Sequence, residues 1–244
     1  MIFTAATVQF RPVWGAPEKN LNSLLSLCRI ASQRGAELIV LPEMCLSGYL
    51  FNDINQIRNI AEPADGETFS AFAGHCVKNS CYISYGFPEK AGDRLYNSQN
   101  LIGPDGKLLM RYRKTHLFDA DMTWAAPGDL GFMAAETPLG VMGMGICMDL
   151  NYDDFLRFHI DSGTDLLLFA ANWLDQGFDV LEYWESRLRE FEGTVFISNR
   201  YGFEDGVFFS GRSAVYKKGS YLSAASKTGN AVLFTCHETA GEKE

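Results

Sequence analysis

The chain has 244 residues, a length that one α/β domain fills, so a single domain over residues 1–244 is expected rather than a string of small modules. Hydrophobic residues make up 47% and charged ones 21%. No apolar run reaches the roughly 18 residues of a membrane helix, which points to a folded, soluble protein. With 21 Lys+Arg against 30 Asp+Glu, the formal charge of -9 disfavours nucleic acid and anionic membranes as partners.

Met1–Thr7 lacks the basic start and apolar stretch of a secretory signal. The six cysteines show no CxxC spacing and fall mostly in apolar surroundings, as reduced thiols do. A cytoplasmic protein without disulfides or a metal site is expected.

In chain order, Ile2 to Phe10 reads as a strand. A helix follows from about Pro17, with Leu21, Leu24, Leu25, Cys28 and Ala31 on one face, and Gly35 stops it. Glu37 to Leu41 is a continuous apolar strand of the kind buried on both faces, ended by Pro42. A helix over Glu67 to Lys78 precedes strands at Cys81 to Phe87, Leu95 to Ile102 and Lys107 to Arg113, the last two joined by a Pro104-Asp105-Gly106 turn. Residues 114–137 show little periodicity, and loops of such length tend to be functional. Then come a strand at Val141 to Met148, a helix near 153–162, a strand at Asp165 to Ala170 and a helix with Leu181, Trp184, Leu188 and Phe191 in one stripe. Short strands are expected at 194–199, 206–216, 220–225 and 230–235, completing an α/β fold with parallel and hairpin pairing.

Three residues stand at strand ends. Glu43 follows the Leu38–Leu41 strand at the end where open α/β sheets place ligands, although a glutamate in a first helical turn explains it equally. Lys114 closes Arg111-Tyr112-Arg113-Lys114, either a solvated cationic edge or, by strand parity, a lysine sharing the inner face with Tyr112 and His116. Cys147 ends a strand in which Met142, Met144 and Ile146 alternate with Gly143, Gly145 and the cysteine. Such a bare face suggests a substrate or another backbone packed against it, while an ordinary buried thiol is the plainer account. Together the three supply a nucleophile, a base and a cation for an oxyanion.

Leu41-Pro42-Glu43, Tyr112-Arg113-Lys114-Thr115-His116-Leu117-Phe118 and Gly145-Ile146-Cys147-Met148-Asp149 resemble, in order, the three signatures of the nitrilase, or carbon-nitrogen hydrolase, superfamily. Ser47-Gly48-Tyr49, Pro127-Gly128, Asn199-Arg200-Tyr201-Gly202 and Gly211-Arg212-Ser213 extend the resemblance over nearly the whole chain. It implies a four-layer α-β-β-α sandwich and an amidohydrolase needing neither metal nor cofactor. Cys147 would attack the amide, Glu43 would serve as general base and then acid, and Lys114 with the backbone N–H of Met148 would hold the oxyanion before water cleaves the thioester.

Many relatives carry a second glutamate eight residues beyond the lysine, where this chain has Met122. Either the triad acts alone, with Asp119 and Asp121 turned to solvent, or one of these aspartates substitutes. The arginine that commonly follows the cysteine is absent, and Cys147–Asn151, Trp124 and Leu181–Trp184 resemble the branch of protein N-terminal asparagine/glutamine amidohydrolases. Tyr49, Asp121, Met122, Trp124, Asn172 and Trp173 are candidate substrate contacts. A small amide or a peptide N-terminus is the expected substrate, and a homodimer the expected assembly, with little support from the Gly241–Glu244 tail. Two alternatives remain: a Cys-His hydrolase using His116, and a catalytically silent amide-binding or regulatory relative.

Overall fold

A computed structural model describes residues 2–239; Met1 and residues 240–244, with the Gly241–Glu244 tail, lie outside the described residues. Strand parity dictates the layering. In β1 (Ile2–Gln9), Phe3 and Ala5 enter one core while Ala6 and Val8 enter another. In β2 (Ala36–Val40), Leu38 and Val40 likewise oppose Ile39. Both faces of these strands are therefore covered, as their unbroken apolar runs require. Between them α1 (Pro17–Gln33) opens on a proline, whose fixed φ suits a first helical turn, and buries Leu24, Cys28 and Ala31 along one stripe.

The remaining elements are α2 (Ile54–Arg58), α3 (Glu67–Asn79), β3 (Tyr82–Ala91), β4 (Arg94–Ile102), β5 (Leu108–Arg113), β6 (Ala134–Thr137), β7 (Gly140–Ile146), α4 (Asp153–Asp161), β8 (Leu166–Ala171), α5 (Val180–Leu188), β9 (Thr194–Asn199), β10 (Tyr201–Glu204), β11 (Val207–Ser210), β12 (Ala214–Lys217), β13 (Ser220–Ala224) and β14 (Ala231–Glu238). They form two six-stranded sheets, ordered β14-β1-β2-β3-β4-β5 and β13-β12-β9-β8-β7-β6, with β10-β11 as a separate ribbon. The sheets stack face to face, β2 on β8 and β9, β4 on β7, and β5 on β6. Helices α1 and α3 cover the outer face of the first sheet, and α4 and α5 pack on the second. This is the α-β-β-α sandwich that the motifs imply. Strands β2, β7 and β8 all end at one edge of the stack, delivering Glu43, Cys147 and Asn172.

Several details depart from the sequence reading. The strand expected over 206–216 breaks into β11 and β12 because Gly211 and Arg212 take φ of 62° and 59°. The segments α2, β6 and β10 form where no element was assigned; α2 is only five residues and is carried by a capping box between Asp53 and Gln56. The bare face of β7 receives neither substrate nor backbone. A Cβ at Gly145 would lie 2.2 Å from Phe155 Cζ, and one at Gly143 would lie 2.5 Å from His159 Nδ1. The glycines admit the side chains of α4.

Candidate active site

Glu43 lies just beyond β2 in a tight loop and is fully buried. The loop can press against β3 because residue 86 is glycine: a Cβ there would stand 2.6 Å from Glu43 Cα. Backbone bonds lock the approach, with Gly86 N–H donating to Pro42 O at 3.1 Å and Cys45 N–H donating to Gly86 O at 3.1 Å.

Lys114 leaves β5 with its N–H donating to Asn97 O at 2.8 Å and its carbonyl accepting from Gly128 N–H at 2.9 Å. Parity separates the basic residues before it. Arg111 and Arg113 both pair with Glu89, at 3.2 and 2.6 Å, whereas Lys114 turns inward and Tyr112 Oη donates to Asp149 Oδ2 at 2.9 Å. The side chain of Lys114 has no solvent exposure, and its Nζ donates to Glu43 Oε1 at 2.7 Å and to Asp121 Oδ2 at 2.6 Å.

Cys147 opens a 3-10 turn at φ 45°, a backbone region that non-glycine residues seldom occupy. Asp149 holds this turn: Oδ2 accepts from Ile146 N–H at 2.9 Å and Oδ1 from His116 N–H at 3.0 Å. Cys147 is 8% exposed and lines a pocket of about 160 Å³ with Tyr49, Phe118, Asn172, Trp173 and Leu174. Clefts of about 420 and 700 Å³ open elsewhere and contain neither Cys147 nor Lys114.

Burial sets the protonation of the group. Desolvation, then the Glu43 charge, pushes the Cys147 thiol well above its ordinary value. Desolvation also raises Glu43, against the pull of Lys114. Burial alone would lower Lys114, but the Asp121 and Glu43 carboxyls outweigh it and keep the ammonium charged. At rest a thiol stands beside the Glu43 carboxyl group, which is bonded to a buried cation.

The two aspartates of the long loop part company. Asp119 is exposed, but Asp121 is fully buried, and its Oδ2 also accepts from Phe118 N–H at 3.0 Å. The expectation that both face solvent thus fails at Asp121. A 3-10 turn over Asp121–Thr123 carries its shorter side chain inward and leaves Met122 65% exposed. Trp124 packs behind the site with Tyr49 and Phe51 and does not line the pocket, whereas Tyr49, Asn172 and Trp173 do. His116 faces carboxylates with both ring nitrogens, Nδ1 at 3.1 Å from Asp149 and Nε2 at 3.4 Å from Asp154, and its ring stacks on Tyr152 at 3.8 Å. That arrangement favours a structural ion pair over a base for Cys147.

Sequence reading missed Asn97. Its Nδ2 donates to Glu43 Oε1 at 2.7 Å and to Asp121 Oδ1 at 3.0 Å, tying the two carboxyls together. The available signal is the run Asn97-Ser98-Gln99-Asn100 inside a strand, four polar residues that are all buried. Phe118, Met148, Asn151, Leu174 and Gln176 complete the pocket lining. Asn199 supports it from outside, accepting Trp173 N–H at 2.9 Å.

A family model described as carbon-nitrogen hydrolase matches residues 4–235. The chain is 34% identical over 229 residues to a nitrilase of Pyrococcus abyssi, covering 91% of this chain and 85% of that protein. It is 29% identical over 260 residues to a protein N-terminal amidase of Schizosaccharomyces pombe, covering 85% and 88%. Among solved structures, a cysteine-to-alanine mutant of the amidase from Nesterenkonia sp. AN1 in complex with butyramide superposes with a TM-score of 0.84 at 19% identity, covering 96% of this chain and 90% of that one. With the family matched over nearly its full length, the chain belongs to the carbon-nitrogen hydrolases and is an enzyme acting on carbon-nitrogen bonds other than peptide bonds.

Proposed function

We propose that the protein hydrolyses a linear carboxamide to a carboxylate and ammonia through a thioester on Cys147. The observation that carries this reading is the buried Lys114 ammonium bonded to both Glu43 and Asp121 beside the pocket that holds Cys147.

In this reading the substrate carbonyl carbon meets Cys147 Sγ while Glu43 takes the thiol proton, a transfer that is needed because burial keeps the sulfur protonated. The C=O electron pair moves onto oxygen, and the ammonium of Lys114 with the backbone N–H of Met148 stabilises that charge. Collapse of the tetrahedral species breaks the C–N bond as Glu43 returns the proton to nitrogen, releasing ammonia and leaving the acyl thioester. Water, deprotonated by Glu43, then adds to the thioester carbon; the C–S bond breaks, the thiol is restored and the acid departs. Glu43 is held for both half-reactions by Lys114, Asn97 and the Asn172 N–H, which donates to its Oε2 at 2.6 Å. Asp121 fixes Lys114 from the other side, its Oδ2 accepting from Nζ at 2.6 Å.

The test is ammonia release from small carboxamides, nitriles and peptides with N-terminal Asn or Gln, together with acid-quenched intact-mass analysis. Turnover with a mass increase equal to one acyl group on the wild type, both lost in Cys147→Ala with the fold unchanged, is the expected result. An active Cys147→Ala protein would overturn it.

A further inference from the structure

Resting on that amidase reading, we infer that the pocket beside Cys147 selects short carboxamides whose acyl chain carries no charge. Size gives the first half of the argument. The pocket is about 160 Å³, well below the roughly 300 to 1,000 Å³ of sites for drug-sized ligands, so the acyl group it receives is small.

The wall gives the second half. Tyr49, Phe118, Trp173 and Leu174 present aromatic and aliphatic surface, and among the described residues no Asp, Glu, Lys or Arg lines the pocket. Its polar members are neutral. Asn151 is already engaged, accepting from the Tyr183 hydroxyl and donating to Met148 Sδ at 3.0 Å. Tyr49 Oη and both polar atoms of the Asn172 side chain are buried without a hydrogen-bond partner. These groups suit a neutral donor or acceptor and cannot neutralise an ion.

The charges of the site itself are already paired. Glu43 and Asp121 lie fully buried behind this wall, each bonded to the ammonium of Lys114, and none of the three lines the pocket, so none is available to pair with an acyl charge. Farther along the wall segment, Asp175 and Asp179 face Lys227 and Arg212 at 3.7 and 3.6 Å. An ion buried without a counter-ion is strongly disfavoured, and an acyl carboxylate or ammonium held against this wall would have none. A peptide N-terminus is disfavoured likewise, because its ammonium would sit a few bonds from the reacting amide.

Two measurements separate this inference from the amidase reading. The first compares kcat/KM within matched pairs: 4-methylpentanamide with the succinamate anion, and butyramide with protonated 3-aminopropanamide. The neutral member should exceed its ionised counterpart by at least about 100-fold in each pair. Ionised members within tenfold of the neutral ones would overturn the selection. The second needs no turnover: methyl methanethiosulfonate, its anionic sulfonatoethyl analogue and its cationic aminoethyl analogue compete for Cys147, with the exposed Cys236 as internal reference in peptide mapping. The Cys147-to-Cys236 labelling ratio should be highest for the neutral reagent, by tenfold or more. A protein that releases no ammonia yet keeps this preference would refute the amidase reading and leave the pocket inference standing. Equal ratios for all three reagents, or no labelling of Cys147 by any, would refute the pocket.

Discussion

Asp121 Oδ2 lies 2.6 Å from Lys114 Nζ, although the residue eight positions beyond the lysine is the exposed Met122. One position earlier in the chain, a shorter acid reaches the same cation because the loop tightens into a 3-10 turn there. Asp121→Asn should therefore slow single-turnover acylation by about 100-fold, the scale of loss when a reacting group is misplaced by about 1 Å. Asp119→Asn and Met122→Ala, both at exposed positions, should change the rate less than about threefold. Rapid-quench measurement on the three variants decides; an unaffected Asp121→Asn would return the chemistry to Glu43, Lys114 and Cys147 alone.

Much of this arrangement was readable from the chain. Unbroken apolar runs at β2 and β8 report strands covered on both faces, and parity along Arg111–Lys114 separates the inward lysine from its outward arginines. Asp121 and Asn97 were not readable in the same way. Their roles depend on contacts across 24 residues of chain and on the path of a loop without periodicity, and neither is a local property of sequence. The glycines of β7 show the converse limit: the sequence states that the face is bare, and only packing states that Phe155 and His159 fill it.

Gly145→Ala tests that packing. The new methyl would overlap the Phe155 ring, which is itself fully buried and cannot swing into solvent. Overpacking of this kind costs about 1–3 kcal/mol. Urea unfolding of Gly145→Ala should show a lower midpoint with an unchanged slope, and Phe155→Leu in the same chain should recover part of the loss.

His116 provides a pH-dependent contribution with a definite sign. The hydrogen bond to Asp149, aided by the Asp149 and Asp154 charges, raises its pKa in the folded state against partial burial. A raised pKa means that protonated His116 stabilises the fold below the unfolded-state value of roughly 6.5, and that this benefit is lost as pH climbs through the higher folded-state value. The Tm deficit of His116→Gln relative to wild type should thus be larger at pH 6 than at pH 9. Turnover by the folded variant should remain within about tenfold of wild type, whereas a loss of about 1,000-fold would revive His116 as the base.

Lys114 joins stability to chemistry, and a double variant separates the two. Lys114→Met leaves Glu43 and Asp121 buried together without their shared cation, and breaking a buried pair in this way costs about 3–5 kcal/mol. It also removes the proposed oxyanion cation, a loss of about 100- to 1,000-fold in rate. Adding Asp121→Asn to Lys114→Met removes one of the two stranded carboxyls and keeps an amide oxygen that can still accept from Phe118 N–H. The double variant should regain a substantial part of the lost Tm while its ammonia release stays at the level of Lys114→Met. Recovery of activity along with stability would mean that Lys114 serves to neutralise the buried carboxyls, and that the oxyanion is held by other groups.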